Sequence, residues 1–337
     1  SSLMKSIHIL LPGLDPDFGL DTTATGEEAA LPPRSALARL IRRGRSCPID
    51  ARGLSPRLAE LFGLGAEKEG DAPLAPLRLE ASGGDPGDAY WLCADPVHML
   101  AMLDHLRLGD GAALAIQPDE ADALTASLNA HFAGEIEFVA RHPARWHARF
   151  SRPIRAATTP LDAVAGESVL PHLPRGPEGA RLRGILNEIQ MLLFEHPVNR
   201  TRAERGLPAV NSLWFWGGGR RPAVVRAGFE RVHADDALSQ ALAHAAGIEH
   251  APLSDRPASG AIQPGRTLLV ATTLDHPARY GPAESWRETL QRIDASLFEP
   301  LFAALRRGRI DRLRIESPGP RPLAREITPL DAWCIWR

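Results

Sequence analysis

Residues 187–222 read NEIQMLLFEHPVNRTRAERGLPAVNSLWFWGGGRRP, and they pass from helix to turn to strand within one short span. Ile189, Leu192 and Leu193 fall on one side of a helix, which Pro197 breaks because proline has no N–H to donate and clashes with the preceding turn. An arginine-rich turn closed by Gly206 and Pro208 follows. Ala209 to Trp216 then read as a buried strand that ends on Gly217, Gly218 and Gly219. Lacking Cβ atoms, these glycines can take φ > 0 and let a ligand, or another backbone, approach their peptide N–H groups. With Arg220 and Arg221 directly behind them, the strand end offers amide and guanidinium donors suited to a phosphate or carboxylate. A Gly-Gly-Gly run also fits a plain sheet-edge turn with two solvated arginines. Here, however, Asn199 and Asn211 flank the turn, and His196, Arg200, Arg202 and Arg205 crowd it. Trp214 and Trp216 share one strand face and read first as core.

Composition narrows the classes. A chain of 337 residues, 44% hydrophobic, can bury a large core in one α/β domain or two lobes. No run approaches the roughly 20 apolar residues that span a bilayer, and Ser1 to Leu11 lacks a signal-peptide layout, so a cytoplasmic protein with no membrane partner is expected. Cys47, Cys93 and Cys334 lie far apart, which fits a reducing compartment and argues against a structural zinc site. A net charge of −2, with no helix-turn-helix pattern, argues against nucleic acid as a partner. Of the 39 basic residues only Lys5 and Lys68 are lysine, a bias that fits a G·C-rich genome, so only arginines placed by a motif carry weight.

Outward from the central stretch, Lys5 to Leu11 is an apolar run ended by Pro12-Gly13 and reads as a first, central strand. The loop behind it holds Asp15, Asp17 and Asp21, which could bind a divalent cation, although a solvated loop is the simpler reading. Ser35 to Arg43 and Ser55 to Gly63 read as short amphipathic helices, and Gly65 to Asp88 as a loop with a brief strand at Leu77 and Leu79. Ala89 to Cys93 reads as a buried strand that delivers Asp95, Pro96 and His98 at its carboxyl end, where ligands bind in open α/β sheets. An aspartate capping the next helix, with His98 on its surface, fits equally well.

Residues 109–150 change rhythm: a strand from Ala112 to Ile116, a helix from Asp119 to His131, and strands over Glu135 to Ala140 and Arg145 to Phe150 predict an inserted α+β subdomain. The expected core is then 1–108 and 151–337, with a Pro-rich linker over 151–178. Beyond the glycines come a helix from Asp236 to Ala246 and a strand from Arg266 to Thr272. A long helix through Trp286, Leu290, Ile293, Leu297, Leu301 and Leu305, bent at Pro300, leads to a strand over Arg309 to Ile315. That order predicts a parallel pair with a right-handed crossover, and Ala332 to Trp336 reads as an edge strand.

Two strings carry a resemblance: ADPVH at Ala94 to His98, and HPVN-x-x-R from His196 continuing through Gly206 to NSLWFWGGG at Asn211 to Gly219. The chain resembles the cofactor-independent phosphoglycerate mutases of the archaeal type, and more closely their bacterial relatives described as RpfE-type regulatory proteins. The resemblance implies an alkaline-phosphatase-like α/β core, its mostly parallel sheet flanked by helices, with a smaller inserted α+β domain. It also exposes departures. The mutases end their first strand on an Asp-Gly pair whose aspartate holds a catalytic metal, and Pro12-Gly13 stands there. Their Asp-x-x-x-His segment is matched by Asp275 with Arg279, their Asp-His pair by Glu316-Ser317, and their Pro-Pro-His-Asp string by Thr159-Pro160-Leu161-Asp162.

Two-metal phosphoryl transfer needs several carboxylates and histidines around ions roughly 4 Å apart. With most of those ligands replaced, no metal and no cofactor are expected, and no convincing nucleophile is evident. The expected protein is a catalytically degenerate pseudoenzyme that keeps an anion or phosphate pocket and acts as a regulatory, ligand-binding or protein-binding module. Its ligand-binding set is Asn199, Arg202, Asn211, Gly217, Gly218, Gly219, Arg220 and Arg221, and its partners are a small phosphorylated ligand or another protein. The rival is an atypical phosphatase, mutase or isomerase of a small phosphorylated metabolite, using His98, Asp95 and His196 as metal-free acid and base.

Overall fold

Lys5 to Leu10 form strand β1, in which Ile7, Ile9 and Leu10 are at most 1% exposed. A strand buried on both faces belongs in the middle of a parallel sheet. The structure is a computed structural model and describes residues 4–14, 31–49, 53–66, 70–102, 106–253 and 262–333. Asp15, Asp17, Asp21 and Cys334 therefore lie outside the described residues. After β1 the described strands are β2 (Arg45–Ser46), β3 (Tyr90–Val97), β4 (Met99–Ala101), β5 (Leu106–Leu108), β6 (Ile136–His142) and β7 (Arg145–Phe150). They continue as β8 (Ser212–Gly219), β9 (Arg231–Ala234), β10 (Glu249–Ala251), β11 (Gly265–Val270), β12 (Arg312–Ser317) and β13 (Leu323–Ile327).

Two compact units share these strands, one formed by residues 1–62 and 226–337 and the other by 63–225. The first unit carries a seven-stranded sheet in the order β10-β9-β11-β1-β12-β13-β2. β1 pairs parallel with both β11 and β12, while β13 runs antiparallel to β12. The expected crossover thus joins parallel strands that are not neighbours, because β1 lies between them. The mixed α/β class with a mostly parallel sheet is as expected.

One side of this sheet packs on the helix Ala36–Arg43 and on the long helical run whose apolar stripe includes Trp286, Leu290, Leu297 and Leu305. Pro300 does sit at a change of geometry. The α-helix Ala283–Ile293 passes through a π turn, Asp294–Phe298, before the helix Glu299–Arg306 opens with Pro300 in its first turn, where a missing N–H costs little. Asp294 from that turn accepts the Leu37 N–H at 2.6 Å, closing the buried start of the Ala36–Arg43 helix.

The second unit is built on a four-stranded sheet, β6-β7-β3-β8, in which β3 pairs antiparallel with both β7 and β8. The strands of the expected 109–150 insertion therefore belong to one sheet with β3 and β8, and the inserted unit runs from 63 to 225. The helices Pro118–His131 and Gly179–Phe194 cover one face through Leu124, Leu128, Leu182, Ile189 and Leu193.

Several local expectations need correction. Leu74–Ala81, expected as loop and strand, is a helix, since Pro76 lies in its first turn and the segment through Leu79 is buried. Gly111–Leu114 is a short helix capped by Asp110, not a strand. Ala332 and Trp333, which open the expected edge strand, close the helix Pro329–Trp333, and the rest of that strand lies outside the described residues. β3 runs on through Asp95 and Pro96 to Val97, and the three glycines are the last residues of β8 rather than a turn after it.

Candidate functional site

At the end of β8 the glycines are met by the chain itself. Gly217 has φ +66°, the left-handed region that favours glycine. A Cβ on Gly218 would lie 2.6 Å from the Tyr90 hydroxyl, and one on Gly219 would lie 2.5 Å from Pro73 Cβ. These glycines therefore let Tyr90 and the start of the Leu74–Ala81 helix close in. Of the two approaches open to the run, another backbone has taken this one.

The amide groups are engaged as well. Asp71 accepts the Gly218 N–H at 3.0 Å and the Thr158 N–H at 2.7 Å, and Thr158 Oγ1 also donates to it. A carboxylate thus occupies the place where an anion was expected. Burial pushes the Asp71 carboxyl up, against the pull of the hydrogen bonds from Thr158, Gly218 and Gly217. Arg220 and Arg221 point elsewhere: Arg220 donates to the Asp88 carbonyl, and Arg221 pairs with Glu80 at 3.0 Å.

Asp95 is 3% exposed and lies within β3, not at its carboxyl end. Its carboxylate takes a bidentate pair from Arg78 at 2.7 and 2.8 Å and a third bond from Trp216 Nε1 at 2.8 Å. Arg78 also donates to the Trp146 carbonyl and to His147 Nε2, and its guanidinium lies 5.2 Å from the Trp216 ring centre. Burial disfavours the charge on Arg78, but the Asp95 charge outweighs this and raises its pKa. Cys93, fully buried beside them, is pushed up by burial and is not a reactive thiolate.

The remaining expected residues tie segments of the second unit together. Asn199 donates to the Leu193 and Val210 carbonyls and accepts the Val210 N–H, all within 2.9 Å. Arg202, 0% exposed, pairs with Glu120 at 2.7 Å and donates to the Pro208 and Leu114 carbonyls. Asn211 exchanges two bonds with the Met99 backbone. His196 caps the helix Pro197–Glu204: its Nδ1 accepts the Val198 N–H, and its Nε2 bonds to Ser127 Oγ at 2.9 Å. Burial and then the Arg200 charge lower its pKa. His98 Nδ1 donates to the Ala209 carbonyl at 2.7 Å, which leaves the Nε2 lone pair as an acceptor. Asp95, His98 and His196 thus have separate partners and form no acid–base pair with one another among the described residues.

In the first unit the carboxyl ends of the parallel strands carry a second group. Glu316 at the end of β12 is 0% exposed. Arg57 grips it at 2.7 and 2.9 Å, Arg314 donates at 2.5 Å, and His8 Nε2 lies 3.1 Å away. Burial works to raise Glu316, but the hydrogen bonds and charges of His8 and Arg57 hold it well below the usual carboxylate range. Ser317 donates to the Leu14 carbonyl, and Trp286 Nε1 to the Gly13 carbonyl. Past β11, Asp275 pairs with Arg279 at 2.8 Å.

Among the described residues no three His, Cys, Asp or Glu side chains are grouped to hold a metal ion. No described helix is long and apolar enough to cross a membrane. Sequence reading missed Asp71 and Arg78, which carry no motif. Glu316 had a signal, an acid closing an apolar strand, which periodicity alone does not interpret.

No family model matches the chain. It is 41% identical over 71 residues to the 2,3-bisphosphoglycerate-independent phosphoglycerate mutase of Methanothrix thermoacetophila, covering 21% of this chain and 18% of that protein. It is 32% identical over 137 residues to the protein of the same name from Methanosarcina mazei, covering 39% and 34%. The chain thus matches about a third or less of the length of these curated relatives. Among solved structures, the PH0037 protein from Pyrococcus horikoshii aligns with 97% of this chain and 88% of its own at a TM-score of 0.55 and 16% identity, a likeness of fold. Over part of its length the chain is thus similar in sequence to the 2,3-bisphosphoglycerate-independent phosphoglycerate mutases, and its mixed α/β fold is like that of the PH0037 protein.

Proposed function

We propose that this chain is a catalytically degenerate relative of the mutases that works by binding, as a regulatory module for an anionic ligand or a protein partner. One observation carries the reading. At the strand ends of the first unit, where the resemblance implies metal ligands, Pro12 offers no donor side chain, and the two nearby carboxylates are taken by the chain's own arginines, Asp275 by Arg279 and Glu316 by Arg57. A guanidinium bonded to a carboxylate satisfies the charge that would otherwise attract a cation. The ligand end is the amide group of Gly217 and Gly218, where an anion enters by displacing Asp71.

The test is interconversion of 2- and 3-phosphoglycerate by protein freed of contaminating mutase, with manganese supplied. No turnover above the blank is expected. Turnover abolished by a chelator overturns the reading.

A second reading keeps an activity, because the sequence matches run to proteins named as mutases at 31–41% identity. It makes the chain a phosphatase, mutase or isomerase of a small phosphorylated metabolite, with the His98 Nε2 lone pair as base. A panel of phosphorylated metabolites assayed against wild type and His98→Ala decides it; equal background in both removes this reading.

A further inference from the structure

At the turn of the β6–β7 hairpin, in the inserted unit, arginines and a buried imidazole gather around one carboxylate that is already spent. His147 and Arg145 lie two apart on β7 and so share one face of the sheet. Cys93 pairs with His147 in the β3–β7 register, and continuing that register sets Asp95 beside Arg145. Asp95, however, is held by both arms of Arg78 and by Trp216. Arg145 has no hydrogen-bond or ion-pair partner for its guanidinium among the described residues, and neither has Arg141 on β6, whose side chain folds against Gly84. His142 in the same turn accepts the Ala144 N–H.

His147 lies beneath these arginines on the same face of β7, 1% exposed. Arg78 Nε–H can only donate, so His147 Nε2 is the acceptor at 3.2 Å, and in the neutral ring Nδ1 carries the hydrogen. Burial first, then the charges of Arg78, Arg145 and Arg141, keep the ring neutral, lowering its pKa to about 2. The Nδ1–H has no partner among the described residues. Buried donors in native folds are almost always paired, so an unpaired one marks a place for a further group.

We propose that this corner is a binding site for a tetrahedral oxyanion of the phosphate class, with His147 Nδ1–H as the buried donor and the Arg145 and Arg141 guanidinium groups closing over the anion. The two guanidinium groups are exposed and free to turn, and the planar forks of arginine match such oxygens. The site does not use the β8 glycine amides and does not depend on the function proposed above.

Calorimetric titration of the full chain with inorganic phosphate at constant ionic strength tests it, alongside ¹⁵N spectra of the histidine rings. The expected result is a Kd below about 1 mM, a phosphate-dependent shift of the His147 Nδ1 signal, and binding at least about tenfold weaker in Arg145→Gln and weakened in Arg141→Gln. Arg307→Gln, exposed in the first unit, is expected to bind as wild type. Wild type that neither binds phosphate nor shifts His147 overturns the proposal, as does Arg145→Gln binding unchanged. Acetate binding as tightly as phosphate overturns the tetrahedral assignment.

Discussion

Asp71 Oδ2 accepts the backbone N–H of Gly218 at 3.0 Å, so that an acidic side chain from one loop closes the strand end formed by three glycines. The same carboxylate holds Thr158 through its N–H and its hydroxyl, tying together segments far apart in sequence. Asp71→Ala removes the acceptor and leaves those donors without it. The expected loss is about 1–3 kcal/mol of unfolding free energy, read from urea denaturation. If an anion enters by displacing Asp71, the same variant binds phosphate at the glycines more tightly than wild type. An unchanged urea midpoint would show that the contact contributes nothing.

Arg78 and Asp95 form a buried pair in which removing one partner strands the other. Asp95→Ala is expected to destabilise by about 3–5 kcal/mol, and Arg78→Met combined with Asp95→Ala to recover a large part of that loss. A double-mutant cycle in denaturant measures the coupling. Should Asp95→Ala instead keep the wild-type midpoint, Asp95 is not the structural anchor described here, and its role as a candidate acid regains ground.

Gly218→Ala tests whether the glycines serve packing. The added methyl group would meet Tyr90 Oη at 2.6 Å and Leu92 Cδ2 at 2.7 Å in the native geometry, so a loss of about 1–3 kcal/mol is expected. Tyr90→Phe in the same chain removes the closest of these contacts and is expected to restore part of the loss. A Gly218→Ala protein as stable as wild type would mean that the strand end is open.

Stability is expected to fall on acidification before the carboxylates titrate. In the folded chain His147 stays neutral to about pH 2, whereas an unfolded histidine takes a proton near 6.5. Below that value the unfolded state binds more protons, so the contribution of His147 is fully present above pH 6.5 and is lost at about 1.4 kcal/mol per pH unit beneath it. His8, lowered by burial against the pull of Glu316, acts in the same direction. Chemical denaturation at pH 7.5, 6.0 and 5.0 should show the decline, and His147→Asn should flatten it. An equal slope in that variant would assign the effect to other groups.

Much of the first unit was legible because its elements are periodic and its ends are punctuated. Lys5 to Leu10 is continuously apolar, Asp236 and Gly247 bracket a helix, and the stripe from Trp286 to Leu305 is helical throughout. The second unit was harder. Leu74–Ala81 looks like a loop because two prolines flank and enter it, yet it is the helix that carries Arg78 into the sheet.

What the amino-acid order determined alone was the α/β class, the mutase-like strings, and the chemical scope of the glycine run, namely that another group could approach its amides closely. Which group does so was decided by the fold. Asp71, Pro73 and Tyr90 are distant in sequence from Gly217 to Gly219, and only the close packing of strands and helix brings them within hydrogen-bond and van der Waals reach. The same holds for Arg78, Asp95 and Trp216: each is an ordinary residue in its own segment. Burial makes them interdependent, because a charge withdrawn from water must find its partner inside the protein.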